Sequence, residues 1–428
     1  MRALRYAPFV AAVAAGAVRM AALLSASPVI TPDTFDYARQ SRLPLLSEAF
    51  WGSQHPPVLP LLWKGLPGIV RSTNPVQLGD LSLALALNGL IATVCWGFLA
   101  ATLARLARTT PARLCVLAGV LAVSLAPDIS GWDASALSES LSLSLIALTI
   151  ALCVRYATEP SAPRSAALGG AIIVATLTRD TNLELCALAV VPVFFVTRRN
   201  VRIVVCALVL AAVGSFWGQS AGDRAEIPTR NAVAEAIQNE HAGPWFAKHG
   251  LPVRANTVAI LLERPAHSFD TDPRAAAVRT WIRTRGRSSW LTYLASHPSR
   301  TLSVRRYLGR IFDPPRAGVA PYWGGTAHGL FVHGPWLLLL ALAGVVGLRR
   351  RLWSRELLVL ASFLAATLPV AAMVWDADSL ELYRHAIVLT AVAQLVSLTA
   401  VLLSVEAALQ RLGSLYASRL NAATAIPK

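Results

Sequence analysis

Apolar residues in this chain fall into ten runs, at about 7–26, 79–104, 112–128, 138–154, 165–178, 183–197, 202–219, 331–348, 356–375 and 384–405. A straight helix needs about 20 such residues to cross a bilayer, and most of the runs reach or approach that length. Two are short, 165–178 and 183–197, and the polar sequence RDTN at 179–182 separates them. They predict a tight helical hairpin, or else pieces of a broken or re-entrant segment. The first run follows residues 1–6 in the manner of a secretory signal, with a conceivable cleavage site near Ala26. Its length and the many runs after it predict an uncleaved first transmembrane helix instead.

The polar turns between the runs alternate in character. One set carries Arg2 and Arg5, then Arg105, Arg108 and Arg113, then Arg155 and Arg164, then Arg198, Arg199 and Arg202. It continues with Arg349, Arg350, Arg351 and Arg355, and ends with Arg411, Arg419 and Lys428. By the positive-inside rule these turns are cytoplasmic, and the alternation holds in register across ten spans. The other, extracytoplasmic face then receives the 27–77 loop, Asp128 and Asp133 with Glu139, Arg179 with Asp180, a loop at 220–330, and DADSLELYRH at 376–385. Loops as long as 220–330 are uncommon without a function. Its stretch AVRTWIRTRGRSSWLTYL predicts helices on the membrane surface, with Trp281, Trp290 and Tyr293 at headgroup level.

The expected fold is therefore all-α: a polytopic transmembrane helix bundle of about ten spans with juxtamembrane helices on its outer face. It divides into an N-terminal module (1–219), a large outer loop (220–330) and C-terminal helices with a basic tail (331–428). Composition agrees. Of 428 residues, 55% are hydrophobic and 14% charged, against about a quarter charged in soluble domains, and mean hydropathy is +0.53. The net charge of +16 could serve nucleic acid, but its arginines lie between apolar runs or in one long loop, which suits anionic membrane lipids better. Cys95, Cys115, Cys153, Cys186 and Cys206 all fall in or beside apolar runs, without CxxC or a histidine at ligand spacing, and read as buried thiols. High Ala, Leu and Arg with little Lys points to a GC-rich bacterial genome, and the localisation expected is a cell membrane.

Candidate chemistry gathers on the outer face. Asp33 and Asp36 stand three apart beside Tyr37, just after the first span. An aspartate after Pro32 is ordinarily a helix cap, but a partly desolvated carboxylate at the mouth of a bundle can also take a proton from an attacking hydroxyl. His55 opens HPP, a turn into VLPLLWKGL, and can add a hydrogen bond or positive charge near a phosphate. Glu139 enters the fourth span among Ser135, Ser138 and Ser142; it is either a water-boundary cap or a functional group, since a carboxylate in a membrane helix is costly. Arg179 cannot readily pair with its neighbour Asp180, which faces another way, and so is left for a phosphate or a distant carboxylate. Arg384 and His385 begin the last span; Arg384 either pairs with Glu381 three residues earlier or acts as a phosphate clamp. No P-loop, GxGxxG, HExxH or GxSxG motif is present. No cofactor is called for, and a divalent cation stays open.

The order PDTFDYARQ then QHPPVLPLLW resembles the first outer loop of GT-C superfamily glycosyltransferases, in the branch of protein O-mannosyltransferases and aminoarabinose transferases. SESLSLSLIALTIAL looks like that family's acidic fourth span, LTRDTN like its basic segment, and Arg384 like its late arginine. Thr34 stands where the family has a second acidic residue. The resemblance implies a sugar donor linked to polyprenyl phosphate, transferred with inversion to a glycan, lipid or protein acceptor on the outer face. It implies Asp33 as general base, with Arg384, Arg179 and His55 around the departing phosphate. Asp36, Tyr37, Glu139 and His385 complete the expected substrate-binding set. Two other readings stay open: a lipid-linked sugar flippase or transporter, for which Arg19 and Asn88 are the main polar residues inside spans, and a surface-polysaccharide polymerase or ligase.

Overall fold

A computed structural model describes residues 3–26, 28–53, 55–66, 81–196, 200–221, 226–262, 269, 271–306, 354–377 and 382–424. The expected span at 331–348, Glu381 and the arginines at 349–351 lie outside the described residues. The described chain is helical apart from one isolated bridge between Val29 and Ser135. The long helices are α1 (Ala3–Ser25) and, after three shorter ones, α5 (Ser82–Ala104), α6 (Thr110–Leu125), α7 (Glu139–Thr158), α8 (Ala162–Thr176), α9 (Thr181–Val196) and α10 (Val201–Ala221). The three short helices are α2 (Pro32–Arg42), α3 (Glu48–Trp51) and α4 (Val58–Lys64). Two more long helices close the chain, α17 (Arg355–Ala377) and α18 (Leu382–Thr424).

Six of these helices are long and apolar enough to cross a membrane: α1, α5, α7, α10, α17 and the Arg384–Ser418 part of α18. A seventh results if α6 and the segment Asp128–Ala134, bent 53° to it, form one span. The hairpin expected at 165–197 is a pair of separate helices, α8 and α9, of 15 and 16 residues, joined through residues 177–180. Each is shorter than the ~20 residues of a straight crossing.

α7 is the central helix. It packs on α5, α8 and α17, while α18 packs on α6 and α17, and α9 on α17. Its burial nearly all round explains why its sequence is apolar or small on every face. Close approach depends on small residues, as is usual between membrane helices. A Cβ on Gly97 of α5 would sit 2.9 Å from Ala12 Cβ on α1, and one on Gly16 would sit 2.5 Å from Thr93 Cγ2. Arg19 on α1 is nearly fully buried, and its Nε lies 3.1 Å from Asp133 Oδ2 while its Nη2 donates to the Ser124 carbonyl. This clip accounts for a charge inside the first span by pairing it, the usual condition for burying one. Cys95, Cys153 and Cys186 are buried, whereas Cys115 and Cys206 are exposed on the surfaces of α6 and α10, correcting the expectation of five buried thiols.

The described residues between 226 and 306 form a small helical domain with its own core. It contains α11 (Glu226–Asn239), α12 (Gly243–Lys248), α13 (Thr257–Leu261), α14 (Ala276–Trp281), α15 (Arg287–Ser296) and α16 (Pro298–Ser303). Trp281, Trp290 and Tyr293, expected at the membrane surface, are instead buried in that core with Phe246 and Phe269. Aromatic side chains bury enough apolar area to hold a domain this small together. Arg300 joins it to the bundle. Its Nη2 donates to Glu235 Oε2 at 2.6 Å, its Nη1 pairs with Glu240, and it lies over the rings of Trp290 and Trp375. Trp290 Nε1 donates to the Asp376 carbonyl at 3.0 Å, and Trp375 Nε1 to the Arg300 carbonyl at 3.1 Å.

Candidate active site

The first loop is shaped by local capping. Thr31 has extended backbone and begins α2, with Pro32 in the first helical position where its missing N–H costs nothing. Thr31 N–H donates to Thr34 Oγ1 at 3.0 Å. Thr34 thus serves as the box residue at the position where the resembling family is acidic, and its side chain is wholly buried. Neither Asp33 nor Asp36 caps the helix: the threonines do, which corrects the reading of Asp33 as an ordinary cap. Asp33 is left in the first turn, where the helix dipole favours a carboxylate. Asp36, one turn on, accepts from Arg39 Nη2 at 2.9 Å and lies 3.8 Å from His55 Nε2.

The loop folds back through its polar side chains. Gln40 Nε2 donates to the carbonyls of Phe50 (2.7 Å) and His55 (3.1 Å), and Lys64 Nζ to those of Ser41 (3.2 Å) and Leu43 (2.6 Å), closing the C-terminal end of α2. VLPLLWK forms α4, whose Leu59, Pro60 and Trp63 are buried against the bundle and not only laid on its surface. Tyr37 is buried between these pieces. Its ring lies 4.3 Å from that of His55 and 6.1 Å from that of Trp63, and its hydroxyl donates to Ser138 Oγ at 3.1 Å. Burial, followed by the nearby carboxylates of Glu139 and Asp33, raises the Tyr37 pKa well above that of an ordinary phenol. Tyr37 therefore stays protonated and orients the end of α7 beside Glu139.

Four charged side chains from four separated parts of the sequence meet at this end of the bundle. Arg384, at the start of α18, donates from Nη2 to Asp33 Oδ2 at 2.6 Å and from Nε to Glu139 Oε1 at 2.5 Å. Arg179, after α8, lies 3.2 Å from the same Glu139 oxygen through Nη1. Its Nη2 is 2.7 Å from His385 Nδ1 and donates to the Arg384 carbonyl at 3.4 Å. A guanidinium only donates, so His385 accepts through Nδ1 and carries its proton on Nε2. Glu139 is wholly buried at the first position of α7, whereas the Asp33 side chain is 28% exposed and that of Arg384 18%. The cluster is closed at Glu139 and open at Asp33. Glu139 Oε2 is buried and makes no hydrogen bond in the described structure.

A second layer fixes Arg179. Asn182 Nδ2 donates to Ser142 Oγ (2.9 Å) and to the Ala175 carbonyl (2.8 Å), pinning the α8–α9 turn to α7. Ser215 Oγ donates to Asp180 Oδ1 at 2.8 Å, so Asp180 turns to α10, away from its neighbour Arg179. Ser142 was visible at helical spacing from Ser138; Asn182 had no signal beyond its place in RDTN. One further set of donors lies on the open side. Asp33, Asp36 and His55 each offer one ligand atom, all within 4.8 Å of one another. Carboxylate oxygens with an imidazole nitrogen suit a divalent cation, so these residues fit one, although Asp33 is engaged by Arg384.

The class of protein defined so far is an all-helical membrane bundle bearing a two-arginine, two-carboxylate cluster at one end. No protein-family model matches the sequence, and no curated protein matches it. Among solved structures the chain is similar to ArnT from Cupriavidus metallidurans bound to undecaprenyl phosphate, at 16% identity and a TM-score of 0.36, over 94% of this chain and 77% of that one. It is also similar to the apo state of the same protein, at 18% identity and a TM-score of 0.34, over 93% and 76% of the two chains. Both likenesses are distant.

Proposed function

We propose that the chain is an integral membrane glycosyltransferase that transfers a sugar from a polyprenyl-phosphate donor to an acceptor hydroxyl or amine on the extracytoplasmic face. The observation that carries this reading is the double engagement of Arg384, which binds a half-exposed carboxylate, Asp33, and a buried one, Glu139. An arginine fork suits phosphate as well as carboxylate. A donor phosphate entering at the open side competes with Asp33 for Arg384, while Glu139 keeps the guanidinium anchored. Asp33, relieved of its counterion, accepts the acceptor's proton as the acceptor oxygen or nitrogen forms its bond to the anomeric carbon. The bond from that carbon to the phosphate oxygen breaks, and its electron pair leaves with the polyprenyl phosphate anion. Arg384, with Arg179 and His55 nearby, stabilises the negative charge that develops there. Attack opposite the leaving phosphate inverts the anomeric centre.

A divalent cation held by Asp33, Asp36 and His55 would supply further positive charge beside the phosphate.

The test is donor chemistry. Proteoliposomes containing the chain, given a monophosphate-linked single sugar, should release polyprenyl phosphate and glycosylate an acceptor from the same cell envelope. Arg384→Lys, which keeps the charge but loses the fork, should lower transfer by about 10²–10³-fold. Transfer only from diphosphate-linked oligosaccharides would refute this reading in favour of a polymerase or ligase.

A further inference from the structure

The opposite end of the bundle carries a feature that the proposed reaction does not use. A cleft of about 1090 Å³ opens between the C-terminal ends of α5 and α7, the N-terminal ends of α8 and α17, and the middle of α18. Its basic lining is Arg105, Arg108, Arg155, Arg164 and Arg411, and its acidic lining Glu159, Glu356 and Glu406. Two of those carboxylates are already committed. Glu406 is buried and accepts from the backbone N–H groups of Arg108 and Thr109, capping α6. Glu159 pairs with Arg164 at 2.5 Å. Arg155 lies over the Phe98 ring at 5.2 Å. Toward the opening Arg105, Arg108 and Arg411 are exposed, against the exposed Glu159, which Arg164 already neutralises, and the half-buried Glu356, so the excess there is positive.

The depth of the cleft narrows the ligand. α18 runs from Arg384 at the candidate active site to Glu406 at the cleft, and 1.5 Å per residue places the two about 33 Å apart. That is about the thickness of the hydrocarbon core, so the cleft lies at the headgroup level of the far leaflet. Leu106, Val154, Leu357 and Leu403 line it beside the arginines, which gives it an apolar wall next to a cationic rim. A water-borne anion has use for the rim alone; a lipid has use for both.

We infer that this cleft is a binding site for the phosphate headgroup of an anionic phospholipid in the leaflet opposite the active site. Arg105, Arg108 and Arg411 hold the headgroup phosphate, and the partly buried Leu106, Leu357 and Leu403 contact the start of the acyl chains. The inference does not depend on the reaction proposed above.

The test uses the full chain in nanodiscs of phosphatidylcholine doped with fluorescent phosphatidylglycerol. The chain should retain phosphatidylglycerol over phosphatidylcholine by about tenfold or more. The combined variant Arg105→Gln, Arg108→Gln, Arg411→Gln should lose that preference while its thermal unfolding in neutral detergent stays unchanged. An equal loss of charge elsewhere, Lys248→Gln with Arg254→Gln and Arg287→Gln, should leave the preference intact. The inference is overturned if the wild type shows no preference, if the cleft variant keeps it, or if the control variant loses it equally. It is also overturned if millimolar inorganic phosphate displaces the labelled lipid completely, since the ligand is then a soluble anion. Should the cleft variant unfold, Arg411→Gln alone is measured, and retention at the wild-type level counts against the inference.

Discussion

Arg384 addresses Asp33 and Glu139 through different nitrogens, so one guanidinium holds a carboxylate that solvent can reach and another that it cannot. The two acids are therefore not interchangeable. Removing the charge of Glu139 leaves Arg179 and Arg384 facing each other without their shared anion in a buried site. Glu139→Gln should destabilise the protein by about 3–5 kcal/mol, the usual cost of breaking a buried pair, and thermal unfolding in detergent measures it. Asp33→Asn, at a partly exposed position, should leave the unfolding temperature nearly unchanged. Each of these residues was visible in the sequence as a polar group at the end of an apolar run. Their pairing was not, because Asp33 and Arg384 lie 351 positions apart and either arginine could have met either acid. Asp33 is the instructive case: after Pro32 it has the place of a cap, yet Thr31 and Thr34 satisfy the helix end and Asp33 pairs with Arg384.

Helix periodicity and hydrophobic runs were enough to place α1, α5, α7, α10, α17 and α18, because a membrane span must satisfy its backbone internally and shows this as an unbroken apolar stretch. The domain at 226–306 was misread for a physical reason. Its alternation of Trp, Arg and Leu fits an interfacial helix, and only tertiary contacts reveal that Trp281, Trp290 and Tyr293 turn toward one another and Phe246. Arg300 ties Glu235 and Glu240 together within this domain and reaches α17 through Asp376 and Trp375. Arg300→Met should remove the shared cation from Glu235 and Asp376 and loosen that joint. Hydrogen exchange across α15 and α16 should speed up by the equivalent of about 3 kcal/mol of lost protection, with little change in α7. Unchanged exchange in α15 and α16 would show that the aromatic core alone holds the domain in place.

At the scale of the whole molecule, α18 links two charged regions at opposite ends of the bundle: the paired cluster at Arg384 and the basic cleft at Arg411. The charge alternation in the sequence anticipated that two-sidedness, since positive turns collect on one face. It could not show that the cluster at Arg384 is balanced in charge while the cleft lining carries an excess of arginine. In the proposed reaction this balanced, mostly buried cluster admits a donor phosphate by exchanging one of its own anions, and Asp33, the more exposed of the two acids, is the one exchanged. The most direct test of the account is single-turnover sugar transfer from a polyprenyl-phosphate donor by Asp33→Asn, with donor binding measured in the same proteoliposomes. Loss of the general base should slow transfer by about 10²–10⁴-fold while donor binding is kept or tightened, because Arg384 no longer has to leave a carboxylate. Transfer at the wild-type rate with donor bound would contradict the assignment of Asp33, and with it the central claim.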